Sequence, residues 1–470
     1  MIFVLGAYRQ LIPMTDLAEL AEDSIPVLAA VLAVQVVFAR LIRQPYKPGI
    51  ATSLSVVFFC FFGDLKMRCQ SWFYGTKWGI FGSASSLLPI AGIIYLVLLW
   101  RLWRTRRNLF TLHRYLNVIG SVMVLAALPG VLSAPSRMKP PVNHACATPL
   151  HTGSHPPDIY YILTDSYTSP ESLRSYWGYD DSPLVSFLTG AGFRVVGNAH
   201  GNATFTPTCL ATSLNMDYPP PLTNNTSMAA QVAYHNEIIE EAEAPARLKA
   251  SGYEITSLSI FAAARQPRFY YYPQISRPTL GTVMWNDTAL GNLDAYRLRA
   301  KTGEANLKIL SMLPEIAANR DGRPKFVYAH LLMPHSPYLF DKDGHHIRRG
   351  MGRPDDHPDL YLGQLIYENQ LLTNAIAGIL RNSATPPVIV LQGDHGYRYL
   401  PGAHQGAEAT TILNALYLPG AADDWVYPGI TPVNTFRVLF NHYFGEHYAR
   451  LPDCLPPTLS QFVSRTDEEK

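Results

Sequence analysis

Cysteine is scarce in this chain: Cys60, Cys69, Cys146, Cys209 and Cys454 are the only five in 470 residues, with no Cys-x-x-Cys pair and no metal-finger spacing. That excludes a disulfide scaffold and a thiolate zinc knuckle. Cys146 and Cys454 lie near the edges of the second half and could bridge in an oxidising compartment, although spacing does not show proximity. Net charge is nearly absent too, with 38 Lys and Arg against 36 Asp and Glu, and the second half has no polybasic block or aromatic-basic stripe. Such a chain carries no electrostatic footprint for nucleic acid. The start, Met1 to Ala7, is apolar but lacks the basic region and cleavage site of a secretory signal, and it reads as a remnant of another span.

What is present divides in two. The mean hydropathy of +0.02 averages long apolar stretches before about residue 135 with short apolar runs between polar, Gly- and Pro-rich turns from about residue 155. Four stretches read as spans, 25–38, 50–62, 80–102 and 116–132. Only the third meets the roughly 20-residue requirement without its flanks, and the second, with Ser53 and Ser55, suits a buried or tilted helix. Arg40, Arg43 and Lys47 follow the first span, and Arg101, Arg104, Arg106, Arg107 and Arg114 separate the third from the fourth. Both loops are therefore expected in the cytoplasm, despite Lys66, Arg68 and Lys77 between spans two and three. The expected organisation is a transmembrane helical domain over 1–133, a Pro-rich tether over 134–157, and a domain over 158–470 on the periplasmic or extracellular side of an inner or plasma membrane.

In the second half, apolar runs at 159–163, 193–196, 253–258, 326–329, 388–391 and 415–418 alternate with helical patterns at 184–188, 307–313 and 367–380. The alternation predicts an α/β fold, a mainly parallel sheet flanked by helices. Functional groups in such sheets collect beyond the carboxyl ends of strands. There the sequence places Asp165 after the first run, His330 and His335 after the fourth, and Asp394 and His395 after the fifth. Taken alone, Asp394-His395-Gly396 reads equally as a strand-ending turn or as two metal ligands. Phe269 to Tyr272 reads as packing, and His345 and His346 as exposed turn residues.

A further polar residue sits at a helix start. In Thr206-Pro207-Thr208-Cys209-Leu210-Ala211-Thr212-Ser213-Leu214-Asn215, Thr206 is expected as an N-cap and Pro207 as the first helical residue. Most threonines so placed are plain caps. The same position, facing the positive end of the helix dipole, also favours an alkoxide and a phosphoryl or sulfuryl oxygen.

The four motifs together carry more than any one. The run Pro157-Asp158-Ile159-Tyr160-Tyr161-Ile162-Leu163-Thr164-Asp165-Ser166-Tyr167, the Thr206 helix, Tyr328-Ala329-His330-Leu331-Leu332-Met333-Pro334-His335-Ser336-Pro337-Tyr338, and Asp394-His395-Gly396 resemble, in that order, the alkaline phosphatase/sulfatase superfamily. The similarity covers about 155–440 and is to the membrane-anchored branch with lipoteichoic acid synthase and the lipid A phosphoethanolamine transferases. The resemblance implies an alkaline-phosphatase-like catalytic domain behind a transmembrane bundle. It implies Asp165, Thr206, Asp394 and His395 as metal ligands, Thr206 as the nucleophile, and His335 and His330 as groups that meet substrate phosphate or carry the leaving-group proton. Cys209 departs from the pattern, standing where the family has Ser, and His404 registers with no motif. The sulfatase Cys-x-Pro-Ser-Arg signature is missing, which disfavours ester sulfatase activity.

Two Asp oxygens, an imidazole and a threonine oxygen suit one Zn²⁺ or Mn²⁺ without choosing between them, and His404 is the one candidate for a second metal. The implied reaction is transfer of a phospho-alcohol, phosphoethanolamine or phosphoglycerol, from a phospholipid donor to an envelope glycan or lipid acceptor through a phospho-threonine. The competing readings are a membrane-anchored phosphodiesterase, phosphatase or sulfatase-type hydrolase using water, and a non-catalytic lipid-binding envelope protein.

Overall fold

The computed structural model describes residues 17–73, 84–132, 147–153, 156–222, 226, 228–270, 285, 288–347, 357–400, 408–421 and 425–453. Met1 to Ala7, Cys146, His404, Cys454 and most of the expected tether lie outside the described residues. The chain forms two compact units. One comprises Met1–Lys139, Thr226–Ala233 and Arg277–Leu298; the other comprises Pro140–Asn225, Tyr234–Ser276 and Arg299–Lys470.

The first unit holds helices α1 (Leu17–Leu41), α2 (Lys47–Cys60), α3 (Phe62–Phe73), α4 (Ala84–Arg104) and α5 (Phe110–Leu132). Two stretches, Ser24–Leu41 and Ser86–Arg104, are long and apolar enough to cross a membrane, and α2 with α3 makes a third if the pair, bent by 50°, is one broken span. The expected second span, 50–62, therefore runs across a bend. The apolar part of α5, Phe110–Ala126, is shorter. Leu32, Ile93 and Leu125 are each more than 60% exposed, as residues facing hydrocarbon would be. Polar groups turn inward and pair: Thr52 donates to Gln35 Oε1 (2.6 Å), and Ser55 Oγ lies 2.8 Å from Tyr95 Oη. Lys47, read in the sequence as a loop charge, is buried and donates from Nζ to the carbonyls of Trp103 and Thr105 (3.1 and 2.7 Å). It thus satisfies the C-terminal end of α4, where a cation is favoured.

The second unit is built on a six-stranded sheet of order β2-β6-β5-β1-β4-β3. Its strands are β1 (Ile159–Asp165), β2 (Arg194–Val195), β3 (Glu254–Leu258), β4 (Lys325–Pro334), β5 (Val388–Gly393) and β6 (Asn414–Tyr417). The four from β5 across to β3 run parallel, while β6 is antiparallel to β5 and β2 antiparallel to β6. β1, β4 and β5 are buried throughout, as strands covered on both faces must be. Tyr160 and Ile162 join one core with Leu184 and Leu188 of α7 (Ser182–Gly190), Ile309 and Leu313 of α11 (Ala289–Ala318), and Leu365 and Ile376 of α12 (Pro358–Asn382). Tyr161, on the opposite face, stacks on Tyr328 and meets Phe436 of α13 (Pro432–Phe444) edge-on. Further helices among the described residues are α6 (Pro170–Trp177), α8 (Thr206–Asn215), α9 (Met228–Glu240), whose residues up to Ala233 belong to the first unit, and α10 (Glu243–Ala250).

A polar ring ties the end of β1 to two helices. Tyr167 Oη lies 2.6 Å from Asn369 Oδ1 and 3.1 Å from Asp181 Oδ2, while Asn369 Nδ2 donates to Asp181 Oδ1 at 2.6 Å. A phenol has one proton, so if Tyr167 donates to Asn369 the ring closes only when Asp181 is protonated and donates to Tyr167. Burial, only partly offset by Tyr167 and Asn369, pushes Asp181 up to about 6. The folded state thus holds a proton that the unfolded chain releases near pH 4, and this stabilisation is lost as pH rises through about 6. Asp181→Asn keeps the ring and removes the titration. In urea denaturation of the full chain in detergent, the stability of the variant relative to wild type is expected to rise by about 1.4 kcal/mol between pH 5 and pH 7.5. Parallel curves at both pH values would refute the protonated ring.

Candidate metal centre and nucleophile

Three neighbouring strands and one helix start converge on a buried site. Asp165 is the last residue of β1, and a register shift between Thr164 and Asp165 sets it opposite Pro334. Asp394 and His395 follow β5 directly, as the sequence predicts. β4 runs further than the expected 326–329, so His330 lies within the strand and only His335 follows it. His330 is a strand residue because its backbone continues the parallel ladder with Leu163 of β1.

Thr206 departs from its expected role as a cap. It is the first residue of α8, the N-cap is Phe205, and the amides of Thr208 and Cys209 bond to the Phe205 carbonyl (2.9 and 3.0 Å). Relieved of capping, the Thr206 hydroxyl points to the strand ends: Oγ1 is 3.4 Å from Asp165 Oδ2 and 3.4 Å from His395 Nε2. Asp165, Asp394 and His395 each offer a ligand atom within 4.8 Å of the others, and all three are buried.

The donor set fits a divalent cation. His395 Nδ1 donates to the Gly396 carbonyl (2.8 Å), which leaves Nε2 bare toward Asp165, Asp394 and Thr206. Asp394 Oδ1 accepts from the amides of Ser166 (2.9 Å) and His395 (2.8 Å), while Oδ2 is buried with no hydrogen-bond partner among the described residues. Burial and the charge of Asp165 push Asp394 up to about 7. Burial would raise Asp165 as well, but His335, His330 and His395 around it hold its carboxyl well below the usual carboxylate range. Burial and the Arg398 guanidinium press His395 down to about 3, so its imidazole is neutral, as a ligand must be. Two carboxylates, one unable to ionise beside the other, and an orphaned oxygen are what a bound cation would relieve.

Ser166 and three glycines hold the ligands, and sequence reading did not single them out for this role. Ser166 takes a left-handed backbone (φ 67°), which aims its amide at Asp394 while its hydroxyl donates to Asp165 Oδ1 at 3.3 Å. No residue pattern announces a left-handed serine. A Cβ on Gly396 would overlap the carbonyls of Glu408 and Thr411, one on Gly393 the carbonyl of Tyr167, and one on Gly201 the carbonyl of Asp394. What Gly393 and Gly396 permit is close backbone approach.

The other candidates fall around this cluster. His330 is fully buried with Nε2 at 3.6 Å from Asp165 Oδ2 and its ring stacked on Phe261, so it backs the first carboxylate. The His335 and His395 ring centres are 6.5 Å apart. His335 Nδ1 bonds to the Ser336 carbonyl and Nε2 receives Arg398 Nη2 at 3.0 Å. Arg398, four residues beyond Asp394, was not singled out in the sequence because nothing in its spacing brings it to His335. Cys209 is buried with its thiol raised, by burial first and then by Asp394, which fits packing rather than reactivity. His345 sits in an exposed turn, as expected.

Two substitutions probe this geometry. Asp394→Asn retains the acceptor for Ser166 and His395 but loses the ligand charge, so calorimetric titration of the metal-free full chain with Zn²⁺ or Mn²⁺ should show affinity reduced by more than about 100-fold. Its metal-free melting temperature should not fall, and near-wild-type affinity would disprove the assignment. Gly396→Ala must displace two backbone carbonyls and is expected to cost about 2 kcal/mol or more in denaturant unfolding; a neutral result would mean the loop yields freely.

No protein-family model matches the chain, and no curated protein matches it. Among solved structures it is similar to the C-terminal periplasmic domain of EcEptC from Escherichia coli in complex with Zn, with 13% identity, 64% of this chain and 87% of that one covered, and a TM-score of 0.40. It is similar to the lipoteichoic acid synthase LtaP from Listeria monocytogenes (14% identity, 66% and 79% covered, TM-score 0.40). A third is the soluble domain of lipooligosaccharide phosphoethanolamine transferase A from Neisseria meningitidis (12% identity, 63% and 91% covered, TM-score 0.39). At these TM-scores the likeness is a general one, and the chemistry of the site rests on its own side chains.

Proposed function

We propose that this chain is a membrane-anchored, divalent-metal-dependent transferase that moves a phospho-alcohol group from a phospholipid to a glycan or lipid acceptor through a phospho-threonine at Thr206. One observation carries the reading: the Thr206 hydroxyl, free of any capping bond, lies 3.4 Å from both Asp165 and His395 inside a buried set of metal-ligand atoms.

Asp165, Asp394, His395 and Thr206 Oγ1 would hold the ion. When bound, it supplies positive charge that favours the threonine alkoxide and a polarised phosphoryl oxygen. The remaining work belongs to the chain. Thr206 Oγ1 forms a bond to phosphorus as the bond to the diacylglycerol oxygen breaks, and the departing alcohol takes up a proton equivalent to the one Thr206 lost. An acceptor hydroxyl then displaces the Thr206 oxygen, and a proton returns to it. Ser166 fixes Asp394 so that one oxygen stays available, and the Gly396 carbonyl keeps His395 in the required tautomer. The apolar helices would hold the site beside its lipid donor, and the basic loops of the first unit favour a catalytic domain outside the cytoplasm. The motif resemblance suggests phosphoethanolamine or phosphoglycerol as the group moved.

The test is incubation of the purified full chain with Zn²⁺ or Mn²⁺ and phospholipids labelled in the headgroup phosphate. Diacylglycerol release and label trapped on Thr206 are expected, with Thr206→Ala reducing turnover by about a thousandfold or more. Turnover that needs an added glycan or lipid marks a transferase, and turnover with water alone marks the hydrolase. Undiminished turnover in Thr206→Ala would end the covalent reading.

A further inference from the structure

Arg398 is a permanent cation in a half-buried position, and among the described residues no carboxylate pairs with it. Its guanidinium is nevertheless fixed. Nη1 donates to the carbonyl of Thr204, two residues before Thr206, at 3.0 Å, and Nη2 donates to His335 Nε2 at 3.0 Å. Both partners are neutral acceptors, so they orient the fork without cancelling its charge, and among the described residues the other N–H groups have no acceptor.

The same contacts define His335. With Nδ1 bonded to the Ser336 carbonyl and Nε2 accepting from Arg398, the ring is neutral and has no N–H left to offer an incoming anion. His330, stacked on Phe261 and Tyr328, turns its Nε2 to Asp165 rather than to an incoming anion. A doubly oxygenated anion approaching Thr206 beside two aspartates needs a donor with positive charge, and His335 has no N–H to offer it.

We propose that Arg398 is the residue that recognises the substrate's phosphodiester, its guanidinium forking onto the non-bridging oxygens while His335 and the Thr204 carbonyl hold it in place. This rests on Thr206 being the group that meets phosphorus. His335 is then a positioning residue, acting through Arg398. The substrate class follows as a monoanionic phosphodiester, whose paired non-bridging oxygens match a planar fork.

Binding of inorganic phosphate to the full chain in detergent, measured by calorimetry in metal-free buffer, tests this without turnover. Arg398→Ala should weaken binding by about tenfold or more, and Arg398→Lys, which keeps charge but not the fork, should fall between the two. Millimolar guanidinium should restore binding to Arg398→Ala, and His335→Ala should weaken binding less than loss of Arg398 does. Zn²⁺ affinity equal to wild type in each variant shows that the site is folded. Wild-type phosphate affinity in Arg398→Ala, or no rescue by guanidinium, overturns the proposal. Thr206 labelling separates the two readings: label with Arg398-independent phosphate binding defeats only Arg398, whereas no label with Arg398-dependent binding defeats only the covalent route.

Discussion

Asp165 and Asp394 end neighbouring parallel strands in a site closed to water, and like charges so placed cannot both ionise unless a cation joins them. Much of the second unit answers to that conflict. Asp165 is held well below the usual carboxylate range, with His330 Nε2 3.6 Å from its Oδ2, while Asp394 retains a proton into the neutral range. His395 completes the ligand set with one bare nitrogen because its other nitrogen is committed to a backbone carbonyl. The conflict is a cost in the metal-free chain and a source of affinity when a cation enters.

The scaffold meets this cost by fixing ligands with backbone rather than with long side chains. The Ser166 amide holds one oxygen of Asp394 from a left-handed conformation, and the loop after β5 is crossed by backbone at Gly201 and braced at Gly393 and Gly396. Both faces of β1 are packed, with Tyr160 on one core and Tyr161 against Phe436 on the other, so the strand that delivers Asp165 has little freedom. The ring of Tyr167, Asp181 and Asn369 secures the next turn.

Charge is distributed with the same economy. The imidazoles near the hydroxyl are neutral, and the fixed positive charge beside them is a guanidinium held by two neutral acceptors. A nucleophile next to two carboxylates would repel an anionic substrate, and the guanidinium held by His335 and the Thr204 carbonyl offsets that repulsion in a medium where water screens weakly. Lys47 shows a related device in the first unit, where a buried ammonium lies against helix-end carbonyls rather than a counter-ion.

The chain's division into an apolar and an alternating half, the six strands, and the placing of Asp165, Asp394 and His395 at strand ends were all legible in the residues, because hydrophobic period and turn chemistry are local properties. The bend at Phe61, the antiparallel β6 and the extension of β4 past His330 were not, since each depends on what the segment packs against. Thr206 was visible as a helix start, yet its hydroxyl left the cap for the strand ends because Asp165 and His395 stand within 3.4 Å of it, 41 and 189 residues away in sequence. Ser166 and Arg398 belong to the site for the same reason. Sequence determined which groups this protein can bring to a reaction; the tertiary structure alone decided which of them meet, because a hydrogen bond across 200 residues is set by packing and strand register.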